Sequence, residues 1–421
     1  MQPNETKQTA AHPAVHFNPY APGFDKDPSP AYAQLRAQAP LHYWPEGRGW
    51  LLSRYDDAVA VLRDKRFTTD QKAWELAGMT GSLAAIPELK EIVEYGLFGL
   101  ANQDHARVRK LVSPALTPRA IERLRPEVQA IVDEVLDAAA AKGTLDVTVD
   151  YAQKIPSRVI CSMLKIPKGR EALFERFTDA VVKCVIPGLV DPQQLEGLRA
   201  DLREGMELVS ATIEDRRKAP LENDILTTLI QTEEQGDKLK KEELLALVGG
   251  LIVGGFETTI HLIAFTLYNL LQRPEVLAQV KAEPELMRNT VEEVLRYDNF
   301  LKLAVVRYAL EDVELGGTTI KKGQMVMILL GSALRDETAF DKAQVFDVRR
   351  NTNASIAFGH GAHYCLGANL ARLELQVAVE RFLRRFPEVK LLGEPSFGQH
   401  PTMRKMESLP VELGTPTIHA A

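Results

Sequence analysis

Leu244 to Leu271 reads LLALVGGLIVGGFETTIHLIAFTLYNLL, and no other stretch limits the fold as much. Its length approaches that of a membrane span, which takes about 20 apolar residues. Yet Glu257 stands near its centre, beside Thr258, Thr259 and His261, and a carboxylate at mid-bilayer is costly. There is no second run of this kind and no basic flank on one side only. The stretch is therefore expected to be a long helix buried through the middle of a soluble domain. Inside it, Gly249, Gly250, Gly254 and Gly255 each disfavour helix by about 1 kcal/mol relative to Ala. Close packing of small residues explains the glycines but not a carboxylate in an apolar core. Bare backbone lets a flat ligand approach, and Thr258 can bond back to the Gly254 carbonyl and open the helix locally.

The rest of the chain has to wrap this rod. Its 421 residues are 45% hydrophobic and 26% charged, as in an ordinary globular enzyme. A net charge of −6 offers no general attraction to nucleic acid or to an anionic membrane. Helical periodicity places further helices near 56–64, 104–116, 119–142, 153–164, 170–186, 192–218, 223–233, 287–298 and 366–386. His42–Tyr55 reads as two short strands about a turn, and 301–330 as several more. No repeat or Gly/Ser-rich linker interrupts the pattern, so a single domain, mainly α with a smaller β part, is expected. The first residues, MQPNETKQTAAHPAVH, lack a basic end followed by an apolar core and read as a flexible arm over 1–16 rather than a signal peptide.

Three cysteines, Cys161, Cys184 and Cys365, cannot build a disulfide framework, and a reducing compartment is expected. One of them lies in FGHGAHYCLGANLAR, Phe358 to Arg372, among three glycines and two histidines. A zinc site could use His360, His363 and Cys365, but a fourth ligand and a second Cys pair are missing. A thiol nucleophile would need a base, and no cysteine-enzyme signature surrounds His363. A buried structural cysteine is the bland alternative. Against it, bare backbone surrounds a cysteine that opens a helix, where amides and the dipole stabilise a thiolate. Such a thiolate is what an iron porphyrin needs on its proximal side.

Phe358-Gly359-x-Gly361-x-His363-x-Cys365-x-Gly367 resembles the haem-binding loop of the cytochrome P-450 superfamily of haem-thiolate monooxygenases, and looks like its soluble bacterial branch. The resemblance runs from about residue 17 to 413. It implies one domain over 17–421, with the long central helix over the haem and the cysteine loop beneath it. Carried over residue by residue, Cys365 is the axial ligand of the haem iron. The amides of Leu366 and Gly367 face its sulfur, and Phe358 and Gly359 shape the proximal side. Gly254 lies in the oxygen groove, with Glu257 and Thr258 as the acid–alcohol pair that supplies protons. His105, Arg109, Arg307 and His363 hold the haem propionates. Glu293 and Arg296 form a structural pair joined by Arg350, although Arg349 competes for that place. Two departures stand out: Ala101-Asn102-Gln103-Asp104-His105 lacks the prolines usual before Arg109, and Leu334-Arg335-Asp336-Glu337 replaces an Asn-Arg-Asp-Pro corner.

The resemblance further implies haem b as cofactor and O2 as co-substrate, one oxygen atom entering a C–H or C=C bond of a lipophilic small molecule. NAD(P)H would serve only indirectly, through a ferredoxin and its reductase, with Arg107, Lys110 and Arg372 as candidate docking cations. The pocket is expected from Val253, Gly254, Leu303, Val305, Phe98 and Met403. An apolar lid is expected over 70–98 and 180–195, with Trp74, Met79, Leu97, Val185, Ile186 and Leu189. A cytoplasmic monomer is expected, with no nucleic-acid or membrane partner. Terpenoid, steroid, fatty acid and polyketide substrates are not ranked. A non-catalytic haem sensor would not need Glu257 in the groove, and a peroxide-driven member would replace the Glu257–Thr258 pair.

Overall fold

In the computed structural model, Lys241–Leu271 is one uninterrupted helix. The residues described are 15–77, 86–97, 99–100, 102–185, 190–191, 193–234 and 239–417. Glu243 begins the helix by accepting the Lys240 N–H at 2.8 Å, satisfying one of the donors a helix start leaves free. The helices Lys90–Tyr95, Pro156–Met163, Glu171–Val185 and Ala368–Arg385 pack along its length. Thr259 to Leu270 is buried throughout, whereas Val253 to Thr258 is open or half-buried. By length and composition this helix could cross a membrane, but here it is the core rod of the chain.

The glycines of the rod have two different jobs. A Cβ on Gly249 would stand 2.8 Å from the Ile92 side chain, and one on Gly255 would stand 3.3 Å from Ile160. These two let neighbouring helices approach, while Gly254 is exposed. The same device joins Glu171–Val185 to Leu195–Lys218, where a Cβ on Gly205 would meet the Phe177 ring at 2.1 Å.

The largest sheet has five strands in the order Leu41–Trp44, Gly49–Leu52, Met325–Ile328, Val305–Ala309, Phe67–Thr68, and three smaller sheets of two or three strands accompany it. Gly49–Leu52 pairs in parallel with Met325–Ile328, and the remaining pairs are antiparallel. Val15, Phe17, Phe24, Tyr32 and Trp44 form a second apolar cluster with Leu303, Tyr308, Met325 and Met327. Val15 thus packs although it falls inside the arm expected over 1–16; residues 1–14 lie outside the described residues.

Several expected boundaries differ. The helix expected over 119–142 is two, Pro118–Glu122 and Arg125–Ala140, the second restarting with Pro126 in its first turn. The helix expected over 104–116 ends at Val112 and tightens into a 3₁₀ turn containing Pro114. Ser29–Gln38 and Pro274–Ala282 are helices with weak apolar patterning and were not anticipated.

Candidate active site

The cysteine loop is held by its own backbone. Cys365 N–H donates to the Phe358 carbonyl at 2.8 Å. Gly359 and Gly361 have φ of +75° and +71°, which glycine adopts without strain. A Cβ on Gly361 would stand 3.0 Å from the Leu62 carbonyl oxygen, so the loop presses on the end of the Tyr55–Arg63 helix. There Arg63 Nε donates to His360 Nε2 at 2.6 Å, which engages one of that ring's two nitrogens.

Cys161 and Cys184 are buried, whereas Cys365 is accessible. Enough protein nevertheless surrounds its sulfur that desolvation pushes the thiol pKa up. The Gly367 N–H, the Arg109 and Arg372 guanidiniums and the Ala368 N–H all pull it back. Gly367 acts on the sulfur as expected and Ala368 acts with it, whereas Leu366 does not figure there; the Ala368 N–H also donates to the Cys365 carbonyl at 3.4 Å. The helix starts at Ala368, and first-turn N–H groups point out of its end. Leu366 packs its side chain against the main core instead.

Four basic side chains converge beside this loop. The rings of His105 and His363 lie 3.9 Å apart between centroids. Arg109, one turn after His105 on the Asn102–Val112 helix, donates to the Tyr364 carbonyl. Arg307 is buried on its strand and donates to the Val306 carbonyl at 2.8 Å. Desolvation and the neighbouring cations hold His105 down at about 4 and His363 at about 3. Desolvation alone brings Arg307 down to about 10. Neither Arg109 nor Arg307 meets an Asp or Glu among the described residues. A buried cation without an anion is costly; Arg307 is buried and Arg109 half-buried.

On the central helix, Thr258 Oγ donates to the Gly254 carbonyl at 2.6 Å. Glu257 is mostly buried. Burial raises its pKa, but His261, His400 and Lys405 together leave it below the usual carboxylate value. Away from these residues, Glu293 and Arg296 are fully buried, with Arg296 Nε 2.7 Å from Glu293 Oε2. Arg296 also donates to the carbonyls of Leu334 and Ala343 at 2.9 Å each. Arg350 completes the group with Nε 3.3 Å from Glu293 Oε1, while Arg349 pairs with Glu283.

The pocket set is only partly brought together. Val253 and Val305 are half-buried against the main core. Leu303, expected in the pocket, is buried in the second cluster with the N-terminal aromatics, and Ala304 beside it is exposed. Strand alternation sends neighbouring side chains to opposite faces, and the bend before Val305 was not visible in the sequence. Met403 is buried, bridged by backbone to Leu301. Phe98, Met79, Ile186 and Leu189, and the side chain of Val185, lie outside the described residues. Of the docking cations, Arg107 is paired with buried Glu243. Arg372 is held by Glu292, with Nη2–Oε2 at 3.1 Å, by Tyr364 and over the Phe358 ring. Lys110 is exposed.

The family model for cytochrome P450 matches residues 87–396. This chain belongs to the cytochrome P450 family. It is 49% identical to the epothilone C/D epoxidase of Sorangium cellulosum over 98% of this chain and 99% of that one. It is 33% identical to the polyketide biosynthesis cytochrome P450 PksS of Bacillus subtilis, over 94% and 98% of the two chains. Among solved structures, epothilone D-bound cytochrome P450epoK aligns with a TM-score of 0.89 at 49% identity, over 94% of this chain and 99% of that one.

The chain is thus a P450 monooxygenase of the hydroxylating and epoxidising kind, with haem b as cofactor and O2 as co-substrate. Bacterial members generally take electrons from ferredoxins and bind lipophilic substrates. Haem supplies the electron and oxygen chemistry that no side chain can. The residues present fit it: an accessible thiol whose charge the Gly367 and Ala368 backbone and the Arg109 and Arg372 guanidiniums favour, a pair of arginines that meet no carboxylate among the described residues, and a helix whose exposed glycine leaves room for a flat ring.

Proposed function

We propose that this P450 oxygenates a polyketide, epoxidising a C=C bond or hydroxylating a C–H bond, in the cytoplasm with electrons from a ferredoxin. The main support is the near full-length similarity to an epothilone epoxidase. Residues 17–421 work as one domain in this reading. Cys365 binds iron as thiolate, with the Gly367 and Ala368 amides moderating the charge on its sulfur. His105, Arg109, Arg307 and His363 hold the two propionates, and carboxylates there would relieve the buried positive charge. Thr258 presents its hydroxyl to the oxygen groove, and Glu257 behind it passes protons inward. Val253, Gly254 and Val305 line a pocket that selects mainly by apolar shape.

The test is a spectroscopic titration followed by turnover. Epothilone D is expected to shift the Soret band and, with a ferredoxin, its reductase and NADPH, to yield a product one oxygen heavier. A steroid and a long-chain fatty acid are expected to do neither. If either control shifts the band and is oxygenated while the epothilone is not, the polyketide assignment fails.

A further inference from the structure

Four polar atoms stand buried and unpartnered around one carboxylate: Glu257 Oε2, His261 Nδ1, His261 Nε2 and His400 Nε2. His261 lies one turn beyond Glu257 on the central helix, its Nε2 3.9 Å from Glu257 Oε1. His400 arrives from the opposite end of the chain, between the strands Ser396–Gly398 and Lys405–Ser408, and its Nε2 is 3.7 Å from Glu257 Oε2. Both gaps exceed a hydrogen bond by about 0.5 Å or slightly more. A small swing of the Glu257 side chain closes either one. The same carboxylate is thus shared between two imidazoles, and both rings are buried.

The two rings differ in what they can do. His400 Nδ1 accepts the backbone N–H of Thr402 at 3.2 Å and of Met403 at 3.1 Å. A nitrogen receiving two N–H groups cannot carry its own proton, so the ring proton resides on Nε2, which faces Glu257. Burial holds this ring below the usual histidine pKa, Glu257 opposes that, and His261, Lys405 and Lys302 reinforce it. Lys302 is itself paired with Asp25 at 2.8 Å. With Nδ1 taken up as an acceptor, His400 serves as a fixed Nε2–H donor and does not relay, since giving up its only proton would leave an imidazolate. His261 has neither nitrogen engaged, so it can take a proton at Nδ1 while giving one from Nε2.

We infer that the two histidines divide the service of Glu257: His400 orients the carboxylate through a fixed Nε2–H, and His261 reloads it with protons. Each reload moves one proton from His261 Nε2 to a Glu257 oxygen as Nδ1 takes up one carried in by water, so no imidazolate forms, and a turn of the ring about its Cβ–Cγ bond then brings the new N–H back toward Glu257 for the next reload. No electron moves. Both are positioning residues, acting through Glu257, and the inference rests on Glu257 being the acid that feeds the groove.

The holoenzyme tests this through side-chain chemistry. Gln at 400 places an amide N–H where Nε2–H was, but Gln at 261 cannot shuttle. H400Q is expected to keep product formed per NADPH near wild type, whereas H400L, H261Q and H261L lose it by about tenfold. H261Q is also expected to raise the solvent deuterium isotope effect, which a merely structural loss would not. Every variant is first checked for the displaced Soret band of its reduced carbonyl complex. In a readout that needs no substrate, 15N-histidine NMR of the carbonyl complex should show His400 as a single Nε2–H tautomer that does not titrate between about pH 5 and 8. A titrating His400, or one with Nδ1–H, overturns the anchor. Full coupling in H261Q beside an uncoupled E257Q overturns the relay. Full coupling in E257Q overturns the premise and the proposal with it. Should epothilone D prove no substrate, the NMR readings still decide for or against the anchor.

Discussion

The Thr258 hydroxyl is held by donating to Gly254 O, 2.6 Å away, which leaves its lone pairs as acceptors. That bond is local to one helical turn and needs nothing from the rest of the fold. Removing it leaves helix and core unchanged, so the consequence belongs to the chemistry. Thr258→Ala is expected to bind haem normally and to consume NADPH while yielding about tenfold less product. NADPH, hydrogen peroxide and product measured together check this, and tight coupling in the variant would contradict the assigned role. Arg372 shows the reverse case, a residue whose surroundings redirect it. Its guanidinium is held by Glu292 and Tyr364, so it braces the cysteine loop rather than offering a free charge to a partner.

Between elements, buried charge does the joining. Glu293 and Arg296 fasten the Leu286–Tyr297 helix to the carbonyls of Leu334 and Ala343, and breaking such a buried pair typically costs about 3–5 kcal/mol. The neighbouring corner, where the sequence departs from the usual family pattern, is closed by Asp336. Its carboxylate accepts the Tyr55 N–H at 3.0 Å and the Thr338 N–H at 3.1 Å. Burial raises its pKa, but these bonds, the Thr338 hydroxyl and Arg36 leave it below the ordinary value. A depressed carboxyl contributes stability that is present above its unfolded pKa and lost as pH falls through the folded one. Asp336→Asn should therefore melt below wild type at neutral pH. The gap should close as pH falls below about 4. Melting curves across pH check this, and a gap that persists in acid would remove Asp336 as its source.

For the whole molecule, the cation cluster makes folding and cofactor binding one problem. Haem that binds only the folded chain raises stability by mass action, and under the proposed function its propionates also neutralise the buried charge of Arg307. Haem removal should lower the melting temperature of the wild type. Arg307→Ala should narrow the difference between apo and holo forms, partly by raising the apo value, because a buried unpaired guanidinium is gone. Calorimetry of both forms checks this, and an unchanged difference would count against propionate binding at Arg307.

The long central helix was legible because a nearly continuous apolar run of near-membrane length carries Glu257 close to its centre, and the cysteine loop because glycines at fixed offsets state their own backbone geometry. Both are local properties of the chain; a mainly α domain followed from them directly, and the reaction class followed from the family that the cysteine loop resembles. Other features depended on residues far apart in sequence. Glu293 and Arg296, three apart, look like any surface pair until 334–350 folds over them. Arg350 rather than Arg349 reaches Glu293 because of how that segment turns, and Leu303 faces the N-terminal aromatics because the chain bends before Val305. His400 meets Glu257 from about 140 residues away, a distance no periodicity spans. Local pattern chose the elements; only long-range packing, which fixes burial and hence the strength of every charge, decided what each side chain faces.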